Sequence, residues 1–382
     1  MKELLMLPGP TPLPPQVIKA QSRQIIGHRE KEFEQLLENI TENLKQIFFT
    51  TYDPLIFPAS GTGGLEIAVV NALAPGDKIL SISNGIFGER FRQIARKFNI
   101  QILELDFPSG KACDYNIVED YLNDNPDLQA VLFTHNETST GVTNNVQKLG
   151  SLLKNRQAIL LVDAVSSLGG IPLKADDWGL DIVITSSQKA LMTPPGLAIL
   201  SISKKAWAKI KNTERPVYFW NLLQAKKYYQ QRKQTPYTPA VTLLFALQAA
   251  LKIILDQGLE TVFKQHKLRS RALREGMKIL NFNPFVEEKV ASATVSAFYQ
   301  PENMDFPSFK KHLLNNYKLH FATGQQQLRD KIFRIGHMGH IGKNEIINTI
   351  KALGQGLKDF NYHPDIQKAI LKTEEVLKCT EY

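Results

Sequence analysis

Between about Leu55 and Leu200, short apolar runs alternate with helix-like segments, and that alternation restricts the possible folds more than any other feature. The runs are Leu55–Phe57, Ile79–Ile82, Ile100–Leu105, Ala130–Thr134, Ala158–Val162, Asp181–Thr185 and Leu197–Ser201. Several are apolar at nearly every position, whereas a strand with one wet face alternates polar and apolar residues. Covered on both sides and separated by helices, such strands predict an α/β fold with a mostly parallel, seven-stranded sheet. "PAVTLLFALQAALKIILDQ" at Pro239–Gln257 is apolar on most sides and reads as a long buried helix. A second helix is expected over Leu259–Leu280. After Asn281 the pattern changes to a strand at Ala293–Tyr299, a helix near Pro307–Asn316, a strand at Lys331–Ile335 and a helix at Lys343–Leu357. That mixture predicts a smaller C-terminal α+β domain over 258–382, behind a large domain over 21–257.

Ligands of open parallel sheets sit beyond the carboxyl ends of the strands. The residues that follow each run are therefore the candidates for chemistry. After Leu55–Phe57 comes "PASGTGGLE", a glycine-rich turn opening a helix, where free N–H groups and the dipole suit a phosphate. Its glycine spacing is not the dinucleotide fingerprint, and alone it reads equally as a tight turn. After Ala158–Val162 comes Asp163, an acid costly to bury without a positive partner, though Asp also serves as a helix N-cap. After Asp181–Thr185 comes Lys189, in "SSQKAL", closed by Pro194-Pro195-Gly196. Lysine normally faces water, so one placed off a buried strand is either a surface loop residue or an amine with a task. "HNETSTGV" follows Ala130–Thr134, and "SNGIFGER", carrying Phe87, follows Ile79–Ile82.

Bulk properties narrow the classes. Net charge is +9, from 46 Lys+Arg against 37 Asp+Glu, but the basic residues are scattered without a block or an aromatic-basic repeat. That argues against nucleic acid and suits small anions. No window holds the roughly eighteen uninterrupted apolar residues of a membrane span. The N-terminus lacks a secretory pattern. Two cysteines, Cys113 and Cys379, cannot build a disulfide framework, so a cytoplasmic location is expected. They also cannot supply an iron–sulfur cluster. His337 and His340 are the one close histidine pair, in a glycine-rich turn, and no metal is expected.

A phosphate cradle, a strand-end acid and a strand-end lysine on one sheet edge together select pyridoxal 5'-phosphate. That cofactor needs a lysine for its Schiff base, an acid for its ring nitrogen and a helix N-terminus for its phosphate. A Schiff-base lysine must be largely desolvated, so that its amine can be a nucleophile. At this point the chain resembles the class V aminotransferases, which are fold-type I pyridoxal phosphate enzymes. It is similar to the alanine–glyoxylate, serine–glyoxylate and serine–pyruvate aminotransferases among them. The matching stretches are "LPGPTPLPP" at 7–15, "IGHREKEF" at 26–33, "SGTGGLE" at 60–66, "NGIFGER" at 84–90, "HNETSTGV" at 135–142, "VDAVSSLGG" at 162–170, "SSQKAL" at 186–191, "TPYTPAV" at 235–241 and "RIGHMG" at 334–339. They keep family order over nearly the whole chain.

The resemblance implies a role for each matched residue. Lys189 would carry the cofactor and act as general acid and base, with Gln188 at the phosphate. Asp163 would pair with the ring nitrogen, Val165 would press on one ring face and Phe87 on the other, where some relatives carry tryptophan. Thr62, Gly63 and Gly64 would hold the phosphate, although some relatives have histidine at Gly64. Ser139 would bond the cofactor or the substrate carboxylate. Arg334 would clamp that carboxylate, with backbone help from Gly9 in an N-terminal segment, 1–20, at the active site. Arginine suits the clamp because its planar fork meets a carboxylate with two bonds. Thr235, Tyr237 and Thr238 would reach the phosphate of a neighbouring subunit, which implies a homodimer with shared sites. The implied reaction moves an amino group from a small amino acid, alanine or serine, to a 2-oxo acid, glyoxylate or pyruvate. Rivals are a 2-aminoethylphosphonate transaminase, a cysteine-desulfurase-like enzyme, and a non-catalytic subunit, since cyanobacterial relatives carry the label soluble hydrogenase small subunit. The tail from His363 reads as an amphipathic helix packed on the protein's own surface.

Overall fold

The structure is a computed structural model that describes residues 3–214 and 216–378. Cys379 lies outside the described residues. Seven strands build the main sheet: β1 (Leu55–Phe57), β2 (Lys78–Ser83), β3 (Gln101–Asp106), β4 (Ala130–Thr134), β5 (Ile159–Asp163), β6 (Ile182–Ser186) and β7 (Ala198–Ile202). Their spatial order is β1-β7-β6-β5-β4-β2-β3. The β2–β3, β2–β4, β4–β5 and β5–β6 pairs are parallel, and β7 runs antiparallel to both its neighbours. Every residue of β4, β5, β6 and β7 is buried, which is why these strands read as unbroken apolar runs.

Helix Val241–Gln257 supplies six buried residues to the large core, from Val241 to Ile254, while its Ala246 and Ala250 pack on Val17. Gly258, at φ +78°, ends it and starts helix Leu259–Ile279, and the two helices meet at a bend of 88°. Helix Leu259–Ile279 leads into a second, separate core. There β8 (Val295–Tyr299), β9 (Ala322–Thr323) and β10 (Ile332–Gly336) form an antiparallel sheet in the order β8-β10-β9. Helices Phe306–Tyr317 and Lys343–Asp359 share its core, and helix Ile366–Lys378 packs on Lys343–Asp359 and Leu259–Ile279. The last of these buries Ala369, Thr373, Val376 and Leu377, so the tail packs on the chain's own surface. No single helix among the described residues is long and apolar enough to cross a membrane.

The N-terminal segment belongs to both units. Leu4 and Leu5 pair in parallel with Leu319 and His320, and Leu4 and Met6 join the smaller core. A few residues later the same segment crosses to the large sheet, where the Thr11 N–H donates to the Gln188 carbonyl at 3.2 Å.

Candidate active site

The carboxyl ends of β2, β4, β5 and β6 open on one edge of the sheet, and the residues that leave those strands meet there. Asp163 is the last residue of β5 and is 4% exposed. Its carboxylate accepts one hydrogen bond, from the Val165 N–H at 2.9 Å. Burial pushes the acid up to about 7. The Val165 N–H opposes the shift, the nearby Glu137 charge adds to it, and Lys189 and Arg90 reduce it.

Lys189 follows β6 by three residues, in a turn rather than a helix. Its Nζ donates to the Pro8 carbonyl at 2.5 Å, and its own carbonyl accepts from Thr11 Oγ1 at 3.0 Å. The N-terminal segment thus grips the lysine at both ends. Burial pushes the Lys189 ammonium down to about 8. Asp163 opposes that shift, and the positive charges of Arg334 and Arg90 support it. Gly9 leans directly on this side chain. Its φ is +125°, and a Cβ there would lie 2.5 Å from Lys189 Nζ, 2.6 Å from Cδ and 2.7 Å from Cε.

Arg334 comes from β10 of the smaller sheet and is 5% exposed. Nε and one terminal nitrogen donate to the Thr323 carbonyl at 3.1 and 2.9 Å, and the other donates to the Thr138 carbonyl at 3.0 Å. The second contact ties the smaller unit to the turn after β4. Burial pulls the guanidinium down to about 10 against the attraction of Glu137. Among the described residues the hydrogen bonds of this buried cation all go to neutral carbonyls, and none goes to a carboxylate.

Helix Gly61–Ala72 opens the fourth wall. Ser60 caps it, accepting from the Gly63 N–H at 3.4 Å. The Gly61 and Thr62 N–H groups, in the first turn, meet no acceptor among the described residues. The Gly64 N–H donates to the Ser60 carbonyl at 3.0 Å, and a Cβ there would lie 2.7 Å from Ile184 Cγ2, so the glycine lets the helix seat closely on β6.

Phe87 is half-buried at the start of helix Ile86–Lys97, with the Arg90 guanidinium 4.7 Å from its ring centroid. Ser139 is buried beside it, and its Oγ accepts from the Ile86 N–H at 3.1 Å. Val165 and Gln188 are half-buried next to Asp163 and Lys189. Thr235, Tyr237 and Thr238 stand apart from this cluster. They line a separate pocket with Leu55, Phe57 and Phe219, where the Tyr237 and Phe219 rings stack at 5.3 Å. Cys113 is buried against Asn144, and burial pushes its thiol up to about 12, far from the reactive range.

Two groups in the site, Ser186 and Glu137, carried no role in the sequence. Ser186, the last residue of β6, is buried, and its Oγ finds no partner. Gln188 Oε1 is likewise buried without one. Glu137 is fully buried and bonds three main-chain N–H groups and the Ser139 hydroxyl. An apolar strand followed by a polar residue was the available signal for Ser186. The acid in "HNETSTGV" was visible, but its partners come from another element.

A mostly parallel seven-stranded sheet with a smaller C-terminal unit, and a lysine and an acid facing each other at the strand ends, define a fold-type I aminotransferase architecture. The chain belongs to the class-V aminotransferases: the model of that family matches residues 4–335. It is 40% identical to an uncharacterized aminotransferase of Methanocaldococcus jannaschii, over 99% of this chain and 98% of that one. It is 33% identical to serine–glyoxylate aminotransferase of Arabidopsis thaliana, over 94% and 91%. The crystal structure of ureidoglycine–glyoxylate aminotransferase from Bacillus subtilis superposes with a TM-score of 0.96, at 26% identity and 99% coverage of both chains.

Proposed function

We propose that this aminotransferase uses pyridoxal 5'-phosphate to move an amino group from a small neutral amino acid, alanine or serine, to glyoxylate or pyruvate. One observation carries the reading: a buried acid raised to about 7, a half-buried lysine whose amine is lowered to about 8 and a buried arginine bonded to carbonyls share one site. The residues fit the cofactor. Ser186 Oγ and Gln188 Oε1 are buried polar atoms in need of partners, and the Gly61 and Thr62 N–H groups offer donors to a phosphate. Asp163 lacks a cation near enough to hold its charge, and a ring N–H is such a partner.

When bound, pyridoxal phosphate supplies an aldehyde that condenses with amines and a ring that accepts the electrons released at Cα. Lys189 would hold the aldehyde through its amine, and the same amine, free, could carry the Cα proton. Asp163 holds a proton on the ring nitrogen. Val165 and Phe87 confine the ring between them. Arg334 turns its fork to the substrate carboxylate, and the N-terminal segment at Pro8–Thr11 screens the amine from water. The names of two relatives contain glyoxylate, which supports that acceptor. Arg334 favours a carboxylate donor over 2-aminoethylphosphonate, and the buried Cys113 disfavours cysteine-desulfurase chemistry.

Thr235, Tyr237 and Thr238 serve a partner subunit in this reading. Their neighbourhood is an exposed aromatic face, with Tyr218 at 79% and Phe219 at 43% exposure, which a second copy would cover. Dilution to monomer, followed by mass and cofactor absorbance together, then releases the cofactor. A monomer that keeps full occupancy refutes the shared site. The substrate assignment is tested by adding amino donors singly to the coloured protein, then 2-oxo acids. Alanine or serine should bleach the chromophore, and glyoxylate or pyruvate should restore it. Bleaching by 2-aminoethylphosphonate ahead of both donors overturns the assignment.

A further inference from the structure

We propose that Glu137 is a positioning residue: it accepts the Ser139 hydroxyl's hydrogen bond and caps the helix bearing Phe87, so that Ser139 Oγ faces the site only as an acceptor. The inference rests on the cofactor reading above and assigns that site a part no motif assigned.

The Ser139 hydroxyl has one hydrogen and two lone pairs. It donates to Glu137 Oε1 at 2.5 Å and accepts from the Ile86 N–H at 3.1 Å, which leaves one lone pair. The alternative, a proton on Glu137 donated to Ser139, is opposed by the carboxylate's other neighbours. Those are the Ser139 N–H at 3.0 Å, the Phe87 N–H at 3.1 Å and the Gly88 N–H at 3.1 Å. Amides can only donate, so Glu137 meets donors alone, and that set holds the charged form. Burial is the larger effect and raises the carboxyl above its ordinary value, and these four donors oppose it.

The same carboxylate completes the helix. Gly85, the N-cap of Ile86–Lys97, has no side chain to satisfy the first N–H groups. Glu137 reaches across from the turn after β4 and does so, with an anion at the positive end of the helix dipole. Room for it exists because residue 85 is glycine: a Cβ there would lie 2.5 Å from Glu137 Cγ and Cδ and 2.6 Å from Ser139 Oγ. The charge is felt across the site. It raises Asp163 from β5 and keeps Arg334 from β10 protonated, while Arg90 and Lys189 add positive charge nearby. One consequence revises the sequence-based expectation for Ser139. With its proton committed, Ser139 cannot donate to a substrate carboxylate, so that recognition falls to Arg334.

The test compares Glu137→Gln, Glu137→Asp, Ser139→Ala and the double variant Glu137→Gln/Ser139→Ala. The readouts are the pH titration of the bound cofactor's absorbance and the affinity of cofactor-free protein for pyridoxal phosphate. Loss of the negative charge in Glu137→Gln disfavours the protonated chromophore, so its titration should move to lower pH by roughly one unit or more. Ser139→Ala should shift it in the same direction, because an acceptor for a protonated group is lost. The double variant should shift by less than the sum, as residues acting through one another do. Glu137→Asp keeps the charge and should recover part of the midpoint. Cofactor affinity should fall roughly tenfold or more in Glu137→Gln, by the loss of charge-assisted bonds that place Phe87 and Ser139. A shift to higher pH in Ser139→Ala overturns the proposal even if Glu137→Gln does not fold. So does a lower melting temperature in Glu137→Gln with an unmoved titration. A parent protein that takes up no pyridoxal phosphate overturns the cofactor reading itself, and that is seen before any variant is made.

Discussion

Replacing Gly9 with alanine tests the link between the N-terminal segment and the reacting amine. The new methyl group would stand 2.5–2.7 Å from the last three atoms of the Lys189 side chain. A non-glycine residue at φ +125° adds backbone strain of about 1–3 kcal/mol. Against a total stability of about 5–15 kcal/mol, the protein should still fold. The clash is relieved most easily at the flexible tip of the lysine. Restoring an ordinary contact of about 3.5 Å moves the amine by roughly 1 Å, and misplacement on that scale lowers rates about 100-fold. The assay mixes cofactor-free protein with pyridoxal phosphate, follows the rise of the chromophore, and then measures a single turnover with serine or alanine. Circular dichroism and thermal melting establish that the variant is folded. A folded Gly9→Ala protein whose rates stay within about threefold of the parent refutes the idea that Gly9 and Pro8 set the position of the amine.

Cofactor capture needs the neutral amine, so its rate should climb with pH to a midpoint near about 8, well below lysine's ordinary 10.5; a midpoint near 10 contradicts the burial described for Lys189. Asp163→Asn should bind cofactor but lose roughly 100- to 1000-fold in turnover, and near-normal turnover argues against its place at the ring nitrogen. In the cofactor-free protein, between pH 3.8 and about 7, folded Asp163 keeps a proton that the unfolded chain has lost. Its contribution to stability therefore falls as pH rises through that window, so the melting temperature of Asp163→Asn should gain on the parent from pH 4 to 7. Arg334→Lys keeps the charge but not the fork, and should weaken amino-acid binding by roughly 10- to 100-fold while the resting spectrum stays put.

The large sheet was legible because β4 to β7 are buried at every residue and read as apolar runs, while the edge strand β3, buried only at Leu105, still carries Ile102, Leu103 and Leu105. These runs gave each of the seven strands to within about two residues at either end, the usual scatter of element boundaries. Asp163 and Lys189 stood out for the same reason, as charged groups placed against unbroken hydrophobic strands. The direction of β7 was less visible, since a fully buried strand looks alike either way. The signal was in the connection: Ser187–Leu197 carries no helical pattern, and a parallel neighbour needs a crossover. The Leu4–Leu5 pairing with Leu319–His320 left no trace, because two residues show no period. Glu137 and Gly85 were hidden differently. Each matters through a partner from another element, and such contacts exist only once β2 and β4 lie side by side.

The route of the N-terminal segment sets an order on biosynthesis. Leu4 and Leu5 are made long before the strand they join, at Leu319–His320. Translation at about 5–20 residues per second puts many seconds between the two events. Meanwhile the large sheet has all seven of its strands and can fold as a unit. The opening residues must wait, with Pro8 and Thr11 free to reach Lys189 but without the Leu4–Leu5 pairing that fixes their path. The amine is therefore finished late, when the C-terminal third arrives to take hold of the beginning of the chain.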